Sequence, residues 1–203
     1  MGAGVSAAQT RLRDIAATRK EGRLPAFSEH DRPLLERLHQ LVFGDAQCNA
    51  AVEQALRRAA GRFSEPQFSK AYSSVAVPVE LFDSKLPGQL RGEVRLCRAF
   101  SIKAGQRAPH EEIHRNSIQR LVSYRGSGIV NCAKPGGIDR AYEPRRIVSP
   151  DSDEGKEISS CWDVVPENTW HFPQATGPQQ WLGVAFHSAA ADEIEDEYIV
   201  WTG

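Results

Sequence analysis

Two stretches of this chain carry residue types that do chemistry. Residues 109–126 read PHEEIHRNSIQRLVSYRG, and residues 166–173, about fifty positions further on, read PENTWHFP. In an extended strand successive side chains alternate between faces. His110, Glu112 and His114 therefore form one row of imidazole and carboxylate donors, while Ile113 turns the other way into a core. In the second stretch Pro166 and Asn168 make a tight turn that presents His171, since asparagine tolerates positive φ almost as glycine does. A borderline divalent cation accepts imidazole, carboxylate and amide oxygen, and two imidazoles with one carboxylate is the facial ligand set of non-haem iron oxygenases. The metal ligands expected from these stretches are thus His110, Glu112, His114 and His171, with His110 and Glu112 as alternatives for one position.

These residues need a frame. Residues 6–21, 28–44 and 45–61 repeat apolar side chains at helical spacing, and Asp45 stands where it can cap the third helix. From about residue 73 the pattern changes to alternation and short apolar runs broken by Pro, Gly and Asp, which reads as strands over 74–82, 92–103, 108–114, 118–125, 127–133, 140–148, 157–165, 180–187 and 196–202. Short strands at this spacing predict a sandwich or barrel, mainly β, preceded by about three α-helices. The expected division is a helical cap over 1–72 and a barrel over 73–203.

The two stretches resemble the motifs of the cupin family. The first cupin motif runs histidine, any residue, histidine, three or four residues, glutamate, six residues, glycine. The second runs proline, any residue, glycine, two residues, histidine. His114, Gln119 and Gly126 fall on the first, and Pro166, Asn168 and His171 on the second. Four positions depart from the pattern. Glu112 stands where the first histidine would be, Gln119 replaces glutamate, Asn168 replaces glycine, and Ala175 sits where many cupins place an asparagine. The resemblance covers residues 73–203 and implies a cupin-type double-stranded β-helix, or jelly-roll barrel, with one divalent metal ion, to which Gln119 in the glutamate position adds a weak or more distant oxygen ligand. Fe(II) is favoured, with Zn, Mn or Ni as alternatives.

It also implies an enzyme acting on a small organic substrate, foremost a mononuclear non-haem iron dioxygenase. The alternatives are a metal-dependent lyase or isomerase, similar to the cupin lyases of dimethylsulfoniopropionate, and a barrel that binds a small ligand without catalysis. Cupins pair through edge strands, so a homodimer is expected. The 2-oxoglutarate oxygenases are set aside, because they need a basic residue after the last histidine and no Arg or Lys follows His171.

Around the ligands, Glu111, Glu112 and Tyr124 are the expected proton-transfer groups. Arg98, Arg107, Arg120, Trp170 and His187 are the expected substrate-binding wall, the arginines being suited to bidentate contact with an anion. His30 and His39, in the helical stretch, are expected at the surface.

Composition narrows the class. The 203 residues are 40% hydrophobic and 8% aromatic, as in a globular chain. A net charge of −1 hides an asymmetry, for after Arg146 the only base is Lys156, against eleven acids. The basic front half alternates its charges along helices, the pattern of a solvated face, and no nucleic-acid motif accompanies it. No apolar run reaches the ~20 residues of a membrane span and no secretory signal is apparent, so the expectation is a cytoplasmic protein with no membrane or nucleic-acid partner. The opening MGAGVS fits an acylation motif but also a helix cap at Ser6. Cys48, Cys97, Cys132 and Cys161 form no CxxC pair and are expected as reduced core thiols.

Overall fold

Alternation along the second half of the chain produces two facing, five-stranded antiparallel sheets. The computed structural model describes residues 27–64, 71–133 and 142–201; the expected helix over 6–21 and the acylation motif lie outside them. One sheet runs β1 (Tyr72–Val77), β2 (Leu96–Ile102), β9 (Trp181–His187), β4 (Gln119–Arg125), β7 (Trp162–Val165). The other runs β10 (Asp196–Val200), β3 (His110–His114), β8 (His171–Ala175), β5 (Ser127–Ala133), β6 (Tyr142–Val148). This is the mainly β jelly-roll expected, and among the described residues two of the three expected helices precede it.

Those helices are α1 (Arg32–Gly44) and α2 (Ala46–Gly61). Pro33 sits in the first turn of α1. The Asp45 carboxylate caps α2 by accepting from the Gln47 and Cys48 amides, and it also accepts from Lys85 Nζ at 2.7 Å. The stripes Leu34, Leu35, Leu38, Leu41 and Val42 of α1 and Cys48, Val52, Ala55, Leu56 and Ala59 of α2 are buried. They form one cluster with Val122, Val184 and Phe186 on the outer face of the first sheet. Each such aliphatic residue contributes about 1.5–3 kcal/mol by burial, far more than helix propensity supplies to segments this short.

A second cluster lies between the sheets: Phe100, Ile102, Leu121 and Trp181 from one meet Val130, Cys132 and Ile147 from the other. Trp181 is wholly buried and its indole N–H donates to Ser123 Oγ at 3.0 Å. All four cysteines are buried and free.

Several expectations are corrected here. The strand over 74–82 ends at Val77, because proline at 78 cannot extend the ladder, and Glu80–Asp83 forms a helical turn, α3. Residues Ile158–Cys161 form another, α4, before β7 begins at Trp162. Strand β8 was not foreseen, since Pro173 interrupts its pattern; its carbonyl nevertheless accepts from the Ala108 amide at 2.9 Å. His39 is not a surface residue. It is half-buried, its Nδ1 accepts the Trp162 indole N–H at 3.2 Å, and burial lowers its pKa.

Candidate metal centre

Strand β3 turns His110, Glu112 and His114 inward, as alternation requires. Its neighbours are fixed by register: Glu112 stands opposite His171 on β8, while His114 and Glu112 stand opposite Asp196 and Tyr198 on β10. The turn before β8 is pinned to the end of β3. Asn168 adopts φ 58°, its amide donates to His114 O at 2.8 Å, and its Nδ2 donates to Arg115 O at 3.2 Å. Gly126, closing the first stretch, has φ 84°, and a Cβ there would lie 2.8 Å from Gln180 O. Both motif positions that need left-handed backbone therefore have it.

Glu112, His114 and His171 bring one ligand atom each within 4.8 Å of one another. His114 Nδ1 lies 2.6 Å from Asp196 Oδ1, and His171 Nδ1 lies 3.0 Å from Thr169 O. A carbonyl oxygen only accepts, so His171 Nδ1 carries the proton and its Nε2 presents a lone pair; the Asp196 carboxylate imposes the same tautomer on His114. Both Nε2 atoms are buried without a hydrogen-bond partner. His171 Nε2 is also 3.2 Å from Glu112 Oε1 without hydrogen-bond alignment, which sets two lone-pair atoms against each other.

That arrangement fits a cation between them. Two ligands each about 2.1 Å from one ion lie about 3.0–3.4 Å apart at right-angled or tetrahedral geometry. Gln119 Oε1 and His187 Nδ1 are likewise buried and unpartnered, and these two residues are register partners across β4 and β9. Each orphaned polar atom costs about 1–3 kcal/mol, so three on residues lining one cavity, with His171 Nε2 behind Glu112, mark a place built for a polar guest. The donor set of two imidazoles and a carboxylate fits a borderline divalent metal.

The electrostatics agree with ligand states. Burial would raise the Glu112 carboxyl, but close contacts with His110 and His171, and the imidazoles around it, hold it well below the usual range. Burial, opposed by Glu112, lowers the His114 pKa. Burial, reinforced by His114, takes His187 down to about 3. Neutral imidazole is the ligating form.

The cavity beside these groups has a volume of about 40 Å³, and Arg98 and His187 from the expected wall line it, together with Gln119. His110 stands at its mouth, with Nε2 3.7 Å from Glu112 Oε2 and its ring 4.9 Å from that of Tyr198.

The structure places the remaining expected residues elsewhere. Glu111 lies on the opposite face of β3, where the Tyr142 hydroxyl donates to it. Tyr124 faces the helices: its hydroxyl donates to Glu53 Oε1 at 2.8 Å and accepts from Asn49 Nδ2 at 2.8 Å. Arg120 is buried on the same outer face, donating to Glu93 O at 3.1 Å. Both sit an odd number of residues from Gln119, so alternation along β4 turns them away from the cavity. Arg107 is exposed, with its guanidinium 4.0 Å from the Trp201 ring centroid. Trp170 belongs to the turn before β8 and does not line the cavity.

Asp196 and Tyr198, whose hydroxyl donates to Asp196 Oδ2 at 2.7 Å, were not anticipated as site residues. Nothing in a strand of the acidic tail announces that it pairs with a segment 82 positions earlier.

No family model matches the sequence, and no curated protein matches it in sequence. Among solved structures the chain is similar to oxalate oxidase in complex with the substrate analogue glycolate, at 13% identity over 66% of this chain and 57% of that one, with a TM-score of 0.47. It is also similar to procruciferin, an 11S globulin from Brassica napus, at 15% identity over 66% of this chain and 28% of that one, TM-score 0.44. A third is peruvianin-I, a cysteine peptidase from Thevetia peruviana latex, at 9% identity over 65% of this chain and 69% of that one, TM-score 0.46. Oxalate oxidase and the globulin are cupin-fold proteins, and the chain spans less than two thirds of either. At these identities and scores the likeness carries no weight for activity or substrate. Among the described residues no helix is long and apolar enough to cross a membrane.

Proposed function

We propose that this chain is a mononuclear metal-dependent enzyme acting on a small organic molecule, and that its reaction is an iron-dependent oxygenation. The observation that supports this is the meeting of Glu112, His114 and His171, two imidazoles and one carboxylate, with both Nε2 atoms buried and unpartnered. A bound Fe(II) ion supplies open coordination positions and the electrons that dioxygen chemistry requires.

The chain's own residues do the rest. Asp196 and the Thr169 carbonyl hold the two imidazoles in one tautomer and orientation. Glu112 contributes a negative charge to the ligand set. Leu96, Phe100, Ala185 and Ile194 give the cavity apolar walls, which exclude water from the reacting groups. Gln119 and His187 offer hydrogen-bonding atoms to a guest. An elimination or isomerisation needs a free base, and the two groups other than Glu112 that the sequence offers for that role, Glu111 and Tyr124, are bonded elsewhere and point away. Of the hydroxyls that do line the cavity, Tyr198 donates to Asp196 and burial pushes Tyr72 up to about 12, which supports oxygenation over a lyase.

The test is anaerobic reconstitution with Fe(II), metal analysis, and nitric oxide as a dioxygen surrogate read by electron paramagnetic resonance. The expected result is about one iron per chain with a nitrosyl signal, both lost in His114→Ala and His171→Ala while far-ultraviolet circular dichroism stays that of a β protein. Full iron in both variants overturns the ligand assignment. Full iron with no nitrosyl overturns the oxygenase reading.

A further inference from the structure

Arg98 is a solvent-exposed cation at the rim of the cavity, without a partner among the described residues. Alternation along β2 points it inward with Leu96 and Phe100, and it lines the same cavity as Glu112 and His114. It makes no hydrogen bond or ion pair with any described residue. Arg120 is held by Glu93, Arg145 by Asp163 and Arg115 by Glu197. It stands on the inner face of its sheet, where solvent and an incoming guest both reach it, at the side where edge strands β1 and β10 meet the opening. Its neighbours there are Tyr72, His110 and Tyr198, linked by ring contacts, with Tyr198 51% exposed.

Charge counting says what such a site lacks. A divalent ion brings two positive charges and Arg98 one, while Glu112 and Asp196 bring one negative charge each, which leaves a single positive charge at a small cavity lined mostly by polar groups. A monoanion neutralises it. A dianion leaves the opposite excess, and a neutral guest leaves the single positive charge without a counter-charge. Size is limited too. A cavity of about 40 Å³ holds about three water-sized groups, and a carboxylate at the half-open mouth lies beyond that count. Deeper in, Gln119 Oε1 and His187 Nδ1 lack partners, and a hydroxyl or amine on the guest would satisfy them.

We infer that the site receives a short-chain monocarboxylate, its carboxylate on Arg98 and a hydroxyl or amine substituent within reach of Gln119 and His187. This rests on the metal-centre reading and adds to it the class of the substrate.

The experiment uses the full chain loaded with Co(II), whose visible spectrum reports the surroundings of the ion, with racemic lactate as probe and lactamide as its neutral counterpart. Cobalt content is measured first. Lactate is expected to shift the spectrum saturably and to raise the melting temperature of the loaded but not the metal-free protein. Lactamide is expected to bind at least about tenfold more weakly, the usual worth of a hydrogen bond to a charged group. Arg98→Gln should keep full cobalt and lose at least about tenfold in lactate affinity together with the preference over lactamide, and Arg98→Lys should recover part of both. Full cobalt in Arg98→Gln with lactate affinity within about twofold of the parent, or equal binding of acid and amide by the parent, overturns this inference alone. A parent protein that takes up no cobalt overturns the metal-centre reading, and this inference with it.

Discussion

His114 Nδ1 lies 2.6 Å from Asp196 Oδ1, joining β3 to a strand that begins 82 residues later. The carboxylate fixes which nitrogen of His114 carries the proton and so aims the other at Glu112 and His171. Loss of such an orienting partner typically costs 10–100-fold in metal affinity. Asp196→Ala is therefore expected to weaken metal binding by about that factor, measured by competition with a chelator of known affinity, with the circular dichroism unchanged. Unaltered affinity would show that packing alone orients the imidazole.

Asn168 holds φ 58° in the turn that delivers His171. Left-handed backbone costs a β-branched residue about 1–2 kcal/mol, and its side chain also donates to Arg115 O. Asn168→Val should lower the unfolding free energy by about that amount and release bound metal, whereas Asn168→Gly should keep metal within a few-fold. Chemical denaturation and metal analysis of the two variants decide this, and equal behaviour of Val and Gly would remove the conformational explanation.

Gln119 is buried beside Glu112 and His187 with an unpartnered oxygen. Glutamate at this position would put a second carboxylate near Glu112, and an uncompensated buried charge costs about 3–5 kcal/mol. Gln119→Glu should thus destabilise the metal-free protein and show a larger metal-induced rise in melting temperature than the parent. Calorimetry with and without metal reads both effects; an unchanged metal-induced rise would place residue 119 outside the reach of the ion.

His39 accepts the Trp162 indole proton and needs to be neutral to do so. Burial lowers its folded-state pKa below the ordinary 6.5, so its contribution is fully present above about pH 6.5. It is lost progressively as pH falls from there toward the lowered folded value. In urea unfolding, His39→Phe should be less stable than the parent by about 1 kcal/mol at pH 7.5, with the gap closing as pH falls to about 5. A gap that widens on acidification would contradict the neutral assignment.

Period-two alternation placed His110, Glu112 and His114 on one face, and applied strictly along β4 it would also have turned Arg120 and Tyr124 away from Gln119. The helical stripes, the burial of the four cysteines and the left-handed turn at Asn168 were legible for the same reason: they follow from the spacing of a few residues and the shapes those residues allow. Strand β8 was not, because Pro173 reads locally as a breaker and only pairing with β5, with a carbonyl contact to Ala108, keeps it extended.

What the sequence by itself determined about this protein is the set of donors and the faces they occupy, since side-chain chemistry and alternation are local. Which donors meet was decided by tertiary structure. Register between strands far apart in the chain sets Asp196 behind His114, His171 against Glu112, and Arg98 and His187 side by side on one wall of the cavity, while Glu111 and Tyr124 find partners on outer faces. Such pairings depend on how two sheets close over a shared core, and no short stretch of residues specifies that.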